Sequence, residues 1–178
     1  YPEGTIISAG LSKWCGAGGW RLGTFVFPEN LRWLLDAMSA VASETYTSTS
    51  APIQYAAVTA FEGGEGIERY LANSRRILSA LGRWCARHLR GAGIECPQPV
   101  GGFYLFPDFN AHAEALARRG ITDAPTLCAR LLDETGVAIL PGSQFGRPPE
   151  ELSARLAYVD FDGERALEAV AVIPKEQP

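Results

Sequence analysis

The sequence lacks a long apolar run, and it lacks a signal-peptide pattern at its start. A membrane-spanning helix needs about 20 consecutive apolar residues, so no spanning segment is predicted and no membrane partner is expected. The chain begins at Tyr1 rather than at a methionine, in a Tyr-Pro-Glu-Gly segment that is typical of a loop. We therefore expect it to start within a longer protein.

Cysteine and histidine are scarce and show no metal-ligand spacing. The four cysteines form no CxxC pair and are irregularly spaced, at Cys15, Cys85, Cys96 and Cys128. This spacing favours free thiols in a reducing cytoplasm over a disulfide framework or a zinc site. His88 and His112 stand in polar helical surroundings. We interpret both as surface residues and expect no metal.

Charge and composition limit the classes of partner. The net charge of −4 argues against a general nucleic-acid binder. Apolar residues make up 47% of the 178 residues, which is enough for a sizeable core. Of the 16 lysine and arginine residues, only Lys13 and Lys175 are lysine. Lysine can lose its proton and attack a carbonyl carbon, whereas arginine cannot, so Lys13 is a candidate nucleophile.

Strand and helix patterns alternate along the chain, which predicts an α/β or α+β fold. Strands are predicted at residues 5–9, 22–27, 94–96, 102–106, 137–140 and 154–159. Helices are predicted to start at 28–30 and to span 52–61, 67–90, 124–135 and 164–172. The Glu-Gly-Gly-Glu-Gly run at 62–66 is the clearest break and predicts one domain at 1–64 and another at 65–178.

The segment from Ser12 to Arg21 has the residue types of a covalent cofactor site. A lysine at a strand end can be held in a fixed pocket, and burial there disfavours its charged form, which makes the amine a nucleophile. The glycines at positions 16, 18, 19 and 23 allow tight turns or close approach to a ligand. Arg21 can offer a charge-assisted fork to a phosphate group.

This pattern, Ser-Lys followed by seven residues, Arg, one residue and Gly, resembles the lysine signature of class I/II aminotransferases, which are pyridoxal 5′-phosphate (PLP) enzymes of fold type I. The resemblance implies that Lys13 is both the catalytic residue and the Schiff-base lysine. It assigns Arg21 and Ser12 to cofactor binding. The family usually has a phosphate-binding serine three residues before the lysine, where this chain has Gly10. Ser8 and Ser12 are the candidate substitutes.

Three further segments resemble the same family over nearly the full chain. These are Ser-Ala-Pro-Ile-Gln-Tyr-Ala-Ala at 50–57, Gly-Gly-Phe-Tyr-Leu-Phe at 101–106 and Pro-Gly-Ser-Gln-Phe-Gly at 141–146, the last followed by Arg155-Leu156. In that family the arginine binds the substrate α-carboxylate, so the resemblance assigns Arg155 to substrate binding. A paired arginine–carboxylate contact fixes orientation as well as affinity.

The resemblance implies the C-terminal half of the PLP-dependent transferase fold. The end of the large domain, which in the family has a mostly parallel sheet with helices on both faces, would precede the small α+β domain. The implied activity moves an amino group between an amino acid and a 2-keto acid, in a homodimer with active sites completed across the interface. Because family members are longer than this chain, we expect the chain alone to be inactive.

Two alternatives remain at this point. Other fold-type I enzymes, namely lyases, decarboxylases and synthases, share the residues that match Lys13, Arg21 and Arg155. The second alternative is a non-catalytic sensor or dimerisation domain derived from the same fold. Product analysis would separate the first alternative from a transaminase, and an upstream DNA-binding segment would favour the second.

Overall fold

An antiparallel strand pair, β1 (Ile7–Gly10) and β2 (Gly23–Val26), begins the fold in a computed structural model that describes residues 1–174. The register joins Ile7 to Val26 at one end and Gly10 to Gly23 at the other. Both predicted strands are confirmed: β1 starts two residues later and ends one residue later than predicted, and β2 is one residue shorter at each end. A 3-10 turn at Glu29–Leu31 then leads into α1 (Arg32–Thr45).

The second and third helices are separated by two glycines. Helix α2 (Ala51–Glu62) has proline in its first turn, where the missing N–H costs no helical hydrogen bond. Gly63 and Gly64 have φ of 77° and 109°, backbone conformations that residues other than glycine rarely adopt. Helix α3 (Glu65–Gly91) follows, so the predicted break and the predicted long helix are both confirmed.

The described chain falls into two compact units, Tyr1–Ala72 (unit 1) and Asn73 onward (unit 2). The boundary between them lies inside α3, because that helix runs without interruption from Glu65 to Gly91. The domain division after residue 64 stays a prediction.

Unit 2 contains a three-stranded antiparallel sheet in the order β3 (Tyr104–Leu105), β5 (Ala154–Ala157), β4 (Leu140–Pro141). The sequence predicts consecutive strands at 94–96 and 102–106, which would be expected to pair with each other, and this pairing is wrong. Glu95 forms only an isolated bridge, to Asp108, and β3 pairs with β5 instead. Pro97 and Pro99 follow directly, and proline has no N–H with which to continue a strand ladder.

Helices flank this sheet in the sequence. A 3-10 turn at Asn110–His112 and the short α4 (Ala113–Ala117) form a segment that the sequence patterns did not predict. Helix α5 (Ala124–Thr135) has the predicted bounds, and α6 (Gly163–Val172) is also confirmed. Arg76 donates to the carbonyls of Val170, Ile173 and Pro174 at the end of α6.

No helix in residues 1–174 is long and apolar enough to cross a membrane.

Two apolar clusters form the core of unit 2. The first packs α3 against the sheet through Ala86, Cys96, Leu105 and Tyr158. The hydroxyl of Tyr158 donates to the carbonyl of Gly102 at 3.0 Å, so this buried polar group is satisfied. The second cluster gathers Ile121, Leu127 and Leu152 around α5. Together they fix the strands that carry the motifs at 101–106 and 141–156.

The start of α5 depends on an aspartate cap, which predicts a pH dependence. Asp123 Oδ1 accepts from the Thr126 N–H at 2.7 Å, and this hydrogen bond holds the pKa of Asp123 below its ordinary value of 3.8. The stabilisation is therefore present above pH 3.8 and is lost as the pH falls through the lowered pKa. Asp123→Asn should lower the melting temperature near pH 7, and this destabilisation should shrink as the pH falls below 3.8.

Thermal unfolding followed by circular dichroism across this pH range checks the expectation. Asp160→Asn is the matched control, because Asp160 is exposed and lies outside α5. A destabilisation by Asp123→Asn that stayed constant between pH 7 and pH 2 would contradict the role of the ionised cap.

Candidate functional site

The loop that carries Lys13 is anchored at both ends by buried leucines. Leu11 is 1% exposed and Leu22 is also buried, and both pack against Ala57 of α2. The Leu11 N–H donates to the Leu22 carbonyl at 3.3 Å, which closes the base of the loop. Lys13 is therefore presented from a short turn whose ends are held by the apolar core of unit 1.

A tyrosine from α3 fixes the middle of the same loop. The hydroxyl of Tyr70 donates to the Cys15 carbonyl at 2.9 Å. The adjacent Gly16 has φ of 68°, and a Cβ there would lie 2.9 Å from the Tyr70 hydroxyl oxygen. Glycine is thus favoured both by the backbone conformation and by the space. The contact joins residues 55 positions apart, and no local pattern in the sequence reveals it.

Arg21 ends the loop in a left-handed conformation, with φ of 56°. This conformation is uncommon outside glycine, asparagine and aspartate. Its guanidinium donates through Nη1 to the Gly18 carbonyl at 2.7 Å, which holds the side chain over its own loop. A guanidinium has several N–H groups in a rigid fork, so this bond leaves it able to bind an anion.

The donor set of this loop fits the implied cofactor. An aldehyde that also bears a phosphate needs an amine and a cationic phosphate ligand, and Lys13 and Arg21 supply these groups from one anchored loop. Lys13 is exposed, so the described residues of unit 1 do not provide the burial that the sequence led us to expect around its amine. Ser12 is half-buried beside it.

Backbone packing explains the glycine at position 10. A Cβ on Gly10 would lie 2.8 Å from the Leu22 carbonyl oxygen and 3.3 Å from the Gly23 Cα. Real Cβ atoms do not approach a backbone oxygen so closely, so the two strands would have to move apart to admit a serine. The close pairing of β1 with β2 therefore explains why this chain has glycine at position 10 where the family usually has serine.

In unit 2, Arg155 on β5 lies over two aromatic rings. Its Cζ is 4.5 Å from the ring centroid of Tyr104 and 4.4 Å from that of Phe145. Phe106 meets the Phe145 ring edge-on, with centroids 6.1 Å apart. Such contacts between a guanidinium and a ring face are attractive because the face carries negative charge density. The two motifs at 101–106 and 141–146 thus converge on the arginine that follows them.

The turn that carries Phe145 packs tightly against β5. It is a 3-10 turn at Gly142–Phe145, and its Gly142 N–H donates to the Ser153 carbonyl at 2.8 Å. A Cβ on Gly142 would overlap the Ser153 hydroxyl, so glycine is required here for close approach. Ser153 is 1% exposed, and its hydroxyl oxygen has no hydrogen-bond partner among the described residues.

The cysteines and histidines make structural contacts and form no candidate reactive centre among the described residues. All four cysteines are free thiols, and burial raises the pKa of Cys85, Cys96 and Cys128, which disfavours the reactive thiolate. The ring nitrogens of His88 and His112 contact backbone carbonyls. Within residues 1–174, no three histidine, cysteine, aspartate or glutamate residues are grouped as a metal site.

Comparison with known proteins identifies the family to which the chain is similar. The family profile of aminotransferase class I and II matches residues 1–173. The aspartate/prephenate aminotransferase of Cereibacter sphaeroides is 33% identical over 161 residues, which are 89% of this chain and 38% of that protein. The aspartate aminotransferase of Geobacillus stearothermophilus is 34% identical over 86% of this chain and 36% of its own length.

Solved structures show the same fold. The aromatic aminotransferase of Pyrococcus horikoshii superimposes with a TM-score of 0.72 at 28% identity, over 96% of this chain and 42% of that one. The chain therefore spans well under half the length of these relatives. The α/β fold class and the resemblance inferred from the sequence motifs are both confirmed.

Gly10 offers a test of the strand packing at the lysine loop. Gly10→Ser should lower the free energy of unfolding by about 1–3 kcal/mol, because the new Cβ must displace backbone atoms of β2. Gly23→Ser is the matched control on the same pair, since its Cβ would meet only the Ala9 carbonyl oxygen, at an ordinary 3.7 Å.

Urea denaturation of both variants and the wild type gives the comparison directly. Equal stability of the two serine variants would contradict the packing account of Gly10.

Proposed function

The chain belongs to the class I and II aminotransferase family, and from this premise we propose that it supplies part of the active site of a PLP-dependent aminotransferase. Such an enzyme moves an amino group between an amino acid and a 2-keto acid. The observation that carries the proposal is the anchored loop of unit 1, which presents the Lys13 amine and the Arg21 guanidinium together. Since the chain covers 38% of the Cereibacter relative, the activity is proposed for a longer protein that contains it.

Lys13 is the proposed catalytic residue. When bound, the cofactor supplies an electron sink for the bond that breaks at the substrate Cα. The Lys13 amine would hold the cofactor covalently until the substrate amine takes its place. The released Lys13 Nζ would then act as a general base and accept the proton from Cα. It would next act as a general acid and deliver that proton to the cofactor carbon. The buried leucines fix the two ends of the loop that carries Lys13.

Arg21 and Ser12 are the proposed phosphate ligands. The bond from Arg21 to the Gly18 carbonyl restricts the guanidinium before an anion arrives, so less conformational entropy is lost on binding. Ser12 adjoins Lys13 in the chain and is half-buried. Because Gly10 carries no hydroxyl, Ser12 and Ser8 are the nearby serines that could replace the missing family contact.

Arg155 is the proposed ligand of the substrate α-carboxylate. It is half-buried on β5, and a guanidinium binds a carboxylate through two parallel N–H bonds. Several relatives are named as aspartate aminotransferases, so aspartate and 2-oxoglutarate are the first donor and acceptor to test. Product analysis with this pair would distinguish transamination from lyase, decarboxylase or synthase chemistry.

We also propose a cytoplasmic homodimer. The four free thiols support a reducing compartment. Exposed apolar side chains support a covered surface on unit 1, since Ile7, Phe25, Val26, Trp33 and Val41 are each more than half exposed. A second copy, or a further part of a longer polypeptide, would shield these side chains from water.

Borohydride trapping tests the cofactor site in the 178-residue chain. The chain incubated with limiting PLP and then reduced should carry the cofactor mass on the peptide with Lys13 in preference to Lys175, which lies outside the described residues. Arg21→Gln should lower the ratio of Lys13 to Lys175 labelling, because the phosphate loses its cationic ligand. Peptide mass spectrometry measures both sites in one sample.

Lys175 is thus an internal control for general amine reactivity. Lys13→Ala should abolish the preferred label, and Lys175→Ala should leave it intact. Equal labelling of the two lysines, unaffected by Arg21→Gln, would refute the proposed cofactor site.

The second expectation concerns turnover. The 178-residue chain with PLP, aspartate and 2-oxoglutarate should form no appreciable glutamate, because more than half the length of the relatives has no counterpart in it. A relative of full length, assayed alongside, controls for the reagents. Steady glutamate formation by the chain alone would show that these residues suffice for catalysis.

A further inference from the structure

We propose that Tyr104 and Phe145 are positioning residues that hold the Arg155 guanidinium ready for a carboxylate without occupying its N–H donors. This inference rests on the proposed role of Arg155 in substrate binding, and it adds the two rings to that site.

Arg155 is restrained in a different way from four other arginines of unit 2. Arg118, Arg119, Arg130 and Arg147 are each held by a glutamate in an ion pair. No such ion pair with Arg155 occurs in the part of the chain that the structure describes. Instead its Cζ lies within 4.5 Å of two ring centroids. A carboxylate partner would compete with a bound acid, whereas a ring does not.

Ring contacts and carboxylate contacts use different parts of the guanidinium. A ring face attracts the cation through its π electrons, whereas a carboxylate is bound by N–H bonds that point outward in the guanidinium plane. Both interactions can therefore exist at once. Restricting the side chain beforehand reduces the entropy lost when the carboxylate binds.

Both rings are themselves held in place. Tyr104 belongs to β3, whose backbone pairs with the strand that carries Arg155, and its ring contacts the Phe103 ring, with centroids 4.6 Å apart. Phe145 ends the 3-10 turn that the hydrogen bond from Gly142 joins to Ser153. Its ring is held by an edge-on contact with the Phe106 ring. A rotation of either ring would disturb these contacts, so the rings can impose an orientation on Arg155.

A carboxylate titration of the 178-residue chain tests the proposal. The probe is 2-oxoglutarate alone, followed by NMR at the backbone amide of residue 155. Tyr104→Leu and Phe145→Leu should each weaken binding by roughly two- to tenfold, which is the range of a single cation–π contact. Tyr104→Phe and Phe145→Tyr keep a ring and should restore nearly the wild-type affinity. Trp84→Leu, on α3, is the control for loss of an exposed aromatic residue.

A second measurement needs no substitution in the site. The side-chain protons of Arg155 should be shifted upfield by the two rings, and the shift should persist when 2-oxoglutarate is saturating. Loss of the shift on binding would show that the guanidinium leaves the rings to reach the carboxylate, and this would overturn the proposal even if a leucine variant failed to fold.

The variants also separate this inference from the proposed function. If Arg155→Gln abolishes binding and the folded leucine variants bind as tightly as the wild type, the positioning role fails and the role of Arg155 stands. If Arg155→Gln binds 2-oxoglutarate unchanged, the carboxylate site itself fails, and the positioning role fails with it.

Discussion

The burial of Leu11 and Leu22 against Ala57 is the contact on which the lysine loop depends. The ten residues between the two leucines include three glycines, at positions 16, 18 and 19, and a segment so rich in glycine has many accessible conformations. Fixing both ends in apolar surroundings removes most of that freedom. The hydrogen bond from Tyr70 then fixes the middle of the loop. A segment whose glycine content favours flexibility is thereby held in one conformation in the folded unit.

Local patterns predicted most of the elements but not how they pair. The apolar spacing of α3 and the proline and glycine that bound other helices are short-range signals, and the corresponding elements are present. The partner of β3 is β5, about fifty residues further on, and no short-range signal specifies it. The helix at Ala113–Ala117 is a single short turn, too brief to show a periodic pattern.

The residues of the candidate site also divide into those that a local motif reveals and those that only the folded structure brings into contact. Lys13, Arg21 and Arg155 could be proposed from residue type and motif order, since each belongs to a recognisable string. The groups that position them could not. Tyr70 reaches the loop from a distant helix, and the ring contacts of Tyr104 and Phe145 depend on a sheet whose pairing was not predicted. The exposure of Lys13 is likewise a property of the folded unit rather than of its sequence neighbours.

The close pairing at Gly10 has a consequence for how this sequence can change over time. A serine at this position is one substitution away in sequence, yet it conflicts with the carbonyl of Leu22. It becomes tolerable only after β2 has shifted, and a shift of β2 brings no benefit while glycine remains at position 10. The two changes are therefore mutually dependent, and a lineage with this strand geometry would reach the serine only by way of a less stable intermediate.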